Sequence, residues 1–180
     1  DNPITHASSG STSFDGSDYV ESASNIGISG TNARTLNAWV KLSVYGDADT
    51  VLSIGTTGGN NFFSIVESVA GGGNWAIRVG SASDMSSSVS SSNDIGTWVM
   101  MTATYDGSIA KLYRNGAEIA SSSVVLATTD GKCVIGDSPE YNRKLYGSIA
   151  NVGIWSRALS ASEVQGVMYK KYADLSSADQ

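Results

Sequence analysis

Two turn signals close together do most to limit what this chain can become. Asp106-Gly107 and Asn115-Gly116 are dipeptides that favour positive φ, the geometry that tight hairpins need. They separate three β-rich runs, Trp98–Tyr105, Ala110–Arg114 and Ala117–Ala120. Three short antiparallel strands in a row leave little room for a helical or parallel α/β design. The rest of the chain repeats the theme. In Thr35–Leu42, Leu36, Ala38, Val40 and Leu42 share one face, while Asn37, Trp39 and Lys41 share the other. Val51–Ile54 follows, then a turn over 56–61. Phe62–Val69 and Trp75–Val79 form a hairpin around Gly71–Gly73.

Weaker segments complete the pattern. The polar start carries an expected extended strand around Ile4–His6. Ser81–Ser92 holds eight serines in twelve residues and reads either as a solvated loop or as an edge strand of small side chains. Leu126–Gly136 reads as a strand and Asp137–Tyr146 as a polar loop. Ser160 has the position of an N-cap, with Glu163 as its capping-box partner. A helix is expected from Ala161 to Tyr172, and residues 174–180 as a frayed tail. The expectation is an all-β, two-sheet antiparallel jelly-roll sandwich with one short C-terminal helix, a single domain over 1–173.

Composition closes off several functions. Hydrophobic residues make up 41% of the chain, enough for a core, so disorder is excluded as the reading. The net charge is −6 and the 11 lysines and arginines are scattered, which argues against nucleic acid. No apolar run approaches the roughly 20 residues of a membrane span, so no membrane insertion is expected. The single cysteine, Cys133, excludes an intrachain disulfide and reads as a small core residue. The chain does not begin with Met, so it is expected to be processed or part of a larger polypeptide or assembly, and the absence of an Asn-X-Ser/Thr sequon argues against a glycosylated eukaryotic ectodomain.

Four blocks carry a family resemblance: Phe14-Asp-Gly-Ser-Asp-Tyr-Val20, Leu36-Asn-Ala-Trp-Val40, Gly96–Asp106-Gly107 with Ala110–Gly116, and Gly147–Val164. In order and spacing they resemble the laminin-G-like jelly-roll domains of the concanavalin A-like lectin/glucanase superfamily. Two positions depart from that pattern. Val99 stands where the family usually has His, and Ala150-Asn151 where it often has Asp-Glu. The resemblance implies that the first and last strands pair, Phe14–Val20 against Gly147–Ile154. Arg157 and Leu159 would pin the turn into the helix.

The resemblance also implies where to look for sites. Related glucanases place two carboxylates on one strand, about 5–9.5 Å apart across the scissile bond. Glu21, Glu67, Glu118, Glu140 and Glu163 are singletons here. His6 is the lone histidine, so no catalytic triad is expected. The resemblance implies a structural Ca2+ on oxygen ligands. Asp15 and Asp18 are its candidates, with Asn151 as a carbonyl donor; the competing reading is a simple Asp15-Gly16 turn. A rim site on Asn61, Asp94 and Asp137 is the alternative.

Outward aromatics can stack on sugars, so Trp39 with Asn37 and Lys41, and Tyr113 beside Lys111, form an expected platform. Their competing reading is packing, which is favoured for Trp98 and Trp155. Trp75 near a loop tip and the polar cluster Tyr141-Asn142-Arg143-Lys144 are further ligand candidates. The leading expectation is a non-catalytic glycan-binding module, extracellular or on a cell or virion surface. The rivals are an adhesive module with a surface-protein partner and a degenerate glycosidase.

Overall fold

The computed structural model describes residues 10–44, 49–68, 73–80, 84–139 and 142–169. In chain order the strands are β1 (Thr12–Asp15), β2 (Val20–Glu21), β3 (Arg34–Leu42), β4 (Thr50–Gly55), β5 (Phe62–Ser68), β6 (Asn74–Arg78), β7 (Met85–Ser90), β8 (Val99–Tyr105), β9 (Ile109–Arg114), β10 (Ala117–Ser123), β11 (Cys133–Ile135) and β12 (Tyr146–Trp155). One helix, α1 (Ala161–Tyr169), follows. The first sheet has the order β1-β12-β3-β8-β9-β10, the second β2-β11-β4-β5-β6-β7. All strand pairs are antiparallel, as the hairpin signals require.

The period-two pattern of β3 fixes how the sheets stack. Leu36, Ala38, Val40 and Leu42 enter the interior with Leu52, Ile54, Phe63, Ile65 and Ile77 of the second sheet. The opposite face of β3 packs into a separate cluster under α1. Among the described residues, each sheet carries a buried pair of directly opposed polar side chains that bond to each other. Thr102 Oγ1 donates to Asn37 Oδ1 at 2.6 Å in the first sheet. The Ser53 and Ser64 hydroxyls lie 2.6 Å apart in the second.

The hairpins expected at Asp106-Gly107 and Asn115-Gly116 both form, and β5 pairs with β6 as expected. Asp106 Oδ1 accepts the Ser108 and Ile109 N–H groups between β8 and β9. Asn115 and Gly116 turn β9 into β10 with φ of 49° and 76°. From Met85 on, the serine-rich stretch forms the edge strand β7 and enters a 3-10 turn, Ser91–Asp94. That outer strand lies against β10, the outer strand of the first sheet. Cys133 is buried, and desolvation pushes its thiol up to about 11.

Two expectations need correction. Phe14–Val20 is not one strand. Thr12–Asp15 pairs with β12, then the chain crosses over and Val20–Glu21 pairs with β11 in the other sheet. Turn-forming Gly16, Ser17 and Asp18 make the break. Leu126–Gly136 supplies only the short β11, because Asp130-Gly131 interrupts it. The Ile4–His6 strand, the helix beyond Tyr169 and the 174–180 tail lie outside the described residues.

Arg34 anchors one end of the sandwich. It is fully buried, and its guanidinium donates to Thr128 Oγ1 and to the carbonyls of Ser29, Gly30 and Asn32. Desolvation lowers it to about 10, so it still carries its charge at neutral pH. No helix among the described residues is long and apolar enough to cross a membrane.

Candidate functional site

A groove of about 720 Å³ opens beside β2 and β11 of the second sheet. Part of its floor, at Gly55 and Gly131, is bare backbone. Gly55 and Gly131 meet so closely that a Cβ on Gly131 would overlap the Gly55 carbonyl. Val134 of β11 continues that floor. One wall is the segment from Glu21 to Asn25, tied to the Asp130 turn. Gly27 N–H donates to Asp130 Oδ1 at 2.9 Å, Asn25 Nδ2 donates to the Asp130 carbonyl at 3.2 Å, and Ile26 N–H donates to the Gly131 carbonyl at 3.1 Å. Asp137, Ser138, Pro139, Asn142 and Lys144 form the facing wall.

Tyr19 stands at the mouth, 49% exposed. The Lys144 ammonium donates to the Ser17 carbonyl at 2.7 Å and sits 5.1 Å from the Tyr19 ring centroid. This cation–π contact occupies one face of the ring and leaves the side chain about half exposed. The groove's charges are similarly engaged. Lys132 pairs with Glu21, and Asp137 Oδ1 accepts the Ser138 N–H at 2.7 Å. Thr56 and the exposed Thr57 and Asn142 add neutral hydrogen-bonding groups. An exposed ring beside hydroxyl and amide groups suits a polyol ligand.

The expected platform on β3 and β9 is a correction. Trp39 is 4% exposed and Tyr113 2%, packed with Met100, Trp155, Leu159 and Val164 under α1. Asn37 is buried on Thr102 and the Asn151 carbonyl. Lys41 is half-buried, its ammonium 5.6 Å from the Trp98 ring centroid. Trp75 is also corrected. It is fully buried, and its indole N–H donates to Asp94 Oδ2 at 2.7 Å. Tyr141 lies outside the described residues. Arg143 turns its carbonyl to the Thr50 N–H, while its neighbours Asn142 and Lys144 line the groove.

The metal candidates do not converge. Asp15 is in register with Tyr146, five residues before Asn151 on β12. At about 3.3 Å per residue the two are roughly 15 Å apart along the strand. Asp15 instead closes its own turn on the Ser17 hydroxyl and N–H, which hold its carboxyl below the usual range. Asp18 follows in the exposed crossover. The rim alternative loses Asp94, which is 1% exposed and held by Arg114 and Trp75. Asn61 donates to the Thr57 carbonyl at 3.3 Å. Asp137 alone of that set lines the groove. Among the described residues, no three His, Cys, Asp or Glu side chains gather as a metal site. These residues do not fit a calcium ion held as expected.

Sequence reasoning missed Tyr19, Glu21, Asn25, Asp130, Lys132 and the groove itself. The signal was present. Asp130-Gly131 is the same dipeptide that marks the hairpin at 106–107, and Gly16-Ser17-Asp18 marks the crossover that frees Tyr19.

Comparison with known proteins places these observations. A protein-family description, the concanavalin A-like lectin/glucanases superfamily, matches residues 14–165. Domain 4 of AbnA, a GH43 extracellular arabinanase from Geobacillus stearothermophilus solved in complex with arabinotriose, superposes with TM-score 0.73. It is 20% identical, over 88% of this chain and 76% of that one. A native heptameric SAP-like pentraxin from Limulus polyphemus gives TM-score 0.69 at 17% identity, over 88% of this chain and 81% of that one. Both likenesses are of fold. Pappalysin-1 of Mus musculus is 34% identical over 76 residues, which is 38% of this chain and only 5% of that protein's length.

Proposed function

Because this chain belongs to the concanavalin A-like lectin/glucanase superfamily, we propose that it is a non-catalytic carbohydrate-binding module of a larger secreted or surface protein. The observation that carries the reading is the open groove. It brings an exposed tyrosine ring into one groove with hydroxyl and amide groups, where Gly55 and Gly131 leave part of the lining free of side chains. Stacking with a few directed hydrogen bonds is the usual means of holding a sugar ring. The non-catalytic part rests on the carboxylates. Glu21, Asp130 and Asp137 already accept from Lys132, Gly27 and Ser138. Hydrolysis of a glycosidic bond needs two carboxyl groups available to proton and water. The arabinotriose complex of AbnA domain 4 supports a sugar ligand and supplies a first probe.

A glycan array followed by calorimetry with arabinotriose tests the reading. Binding is expected in the micromolar to millimolar range, and Tyr19→Ala should lower it about tenfold with the melting curve unchanged. An array with no bound glycan would overturn the proposal and favour an adhesive protein-protein module. Turnover of any bound polysaccharide would overturn the non-catalytic part.

A further inference from the structure

We propose that the groove selects neutral glycans and turns away acidic ones. The inference rests on the glycan reading and adds the chemical class of the ligand. It follows from how the charges in the groove are spent. The described lining residues carry three carboxylates, Glu21, Asp130 and Asp137, against two ammonium groups, Lys132 and Lys144. One negative charge is left over, on a chain whose own net charge is −6.

Both cations already have partners within the chain. Lys132 is paired with Glu21 across β2 and β11. Lys144 is held by the Ser17 carbonyl and the Tyr19 ring. No arginine stands among the described lining residues, so the planar fork that grips a carboxylate at two points is missing. A uronate or sialate entering here would have to break the Glu21–Lys132 pair or lie beside uncompensated carboxylates. Thr56, Thr57, Asn25 and Asn142 ask no such cost of a hydroxyl.

The decisive experiment uses oligosaccharides that differ only in charge. Calorimetric titrations of trigalacturonate against its neutral methyl ester, and of a glucuronate-bearing xylo-oligosaccharide against its carboxyl-reduced form, would be run at low and high salt. The neutral member of a pair should bind about tenfold or more tightly, because an unpaired like charge is penalised. Its affinity should be insensitive to salt, since no charge is screened. Glu21→Gln should free Lys132 and raise affinity for the acidic member by about two- to fivefold.

Tighter binding of the acidic sugars, falling steeply with salt, would overturn neutral selection while leaving the glycan reading intact. Unchanged acidic binding in Glu21→Gln would remove the Glu21–Lys132 pair as the gate and overturn this mechanism. Failure of every neutral and acidic probe on the wider array would overturn both.

Discussion

The two sheets use aromatic side chains in opposite ways. On the first, Trp39 and Tyr113 point away from the sandwich core and are then roofed by α1, Trp155 and Leu159. Beside the second, Tyr19 sits on a crossover between strands, held by one lysine and otherwise open. Period two tells which side of a strand an aromatic occupies, not whether something later in the chain will cover that side. A helix arriving from 120 residues away decides that. A connection, by contrast, has no neighbour assigned to it, and an aromatic placed there stays available.

Cutting each aromatic back is the sharpest way to break this contrast. Trp39→Ala should cost about 3–5 kcal/mol, the range for removing a large buried ring. A urea titration would read it as a lower midpoint. Tyr19→Ala should stay within about 0.5 kcal/mol of the parent, as exposed substitutions do. Equal losses would mean that the crossover, too, is part of the core.

The groove floor gives the next effect. A side chain on Gly131 must push against the Gly55 backbone, and backbone cannot move aside cheaply. Gly131→Ala should therefore cost about 1–3 kcal/mol and weaken sugar binding as well. Binding retained at full strength would show that the floor is not part of the site.

The helix that seals the first sheet can be loosened separately. Ser160 Oγ accepts the Glu163 N–H, and Glu163 Oε2 accepts the Ser160 N–H at 2.7 Å, closing the expected capping box. Ser160→Ala should cost about 1 kcal/mol and speed hydrogen exchange in α1, leaving the groove amides unchanged.

The smallest effect is acid dependence. Hydrogen bonds from Ser160, with Arg157 beside it, hold the Glu163 carboxyl below the usual glutamate range. A depressed carboxyl contributes stability above its unfolded pKa and loses it as pH falls through the folded one. The parent should lose slightly more stability than Glu163→Gln between neutral and strongly acidic pH. Parallel melting curves would remove Glu163 as a contributor.

The fold was legible because its determinants are local. Leu36–Leu42 alternate, Asp106-Gly107 and Asn115-Gly116 turn the chain, and Ser160 with Glu163 starts the helix. The pairing of first and last strands, which the resemblance implied for Phe14–Val20, holds within that stretch only for Phe14 and Asp15. The site was much less legible. Its parts come from Tyr19, Thr56, Asp130 and Lys144, which only the closed sandwich brings together. Two of the residues singled out for chemistry, Trp75 and Asp94, found each other instead and were buried as a structural pair.

The two buried polar pairs across the strands have a consequence of their own. The first sheet is apolar-packed on both faces around β3, so a strand that slid along its neighbour would still find greasy surroundings. Hydrophobicity alone then marks the alignment poorly. Asn37 opposite Thr102 and Ser53 opposite Ser64 supply the missing marks, one in each sheet. A two-residue slide that sets Asn37 opposite Met100, or Ser53 opposite Phe62 or Val66, leaves these groups without partners in the dry interior, at about 1–3 kcal/mol apiece. They work like the notches on a key: small, costly to misalign, and the reason each strand stops where it does.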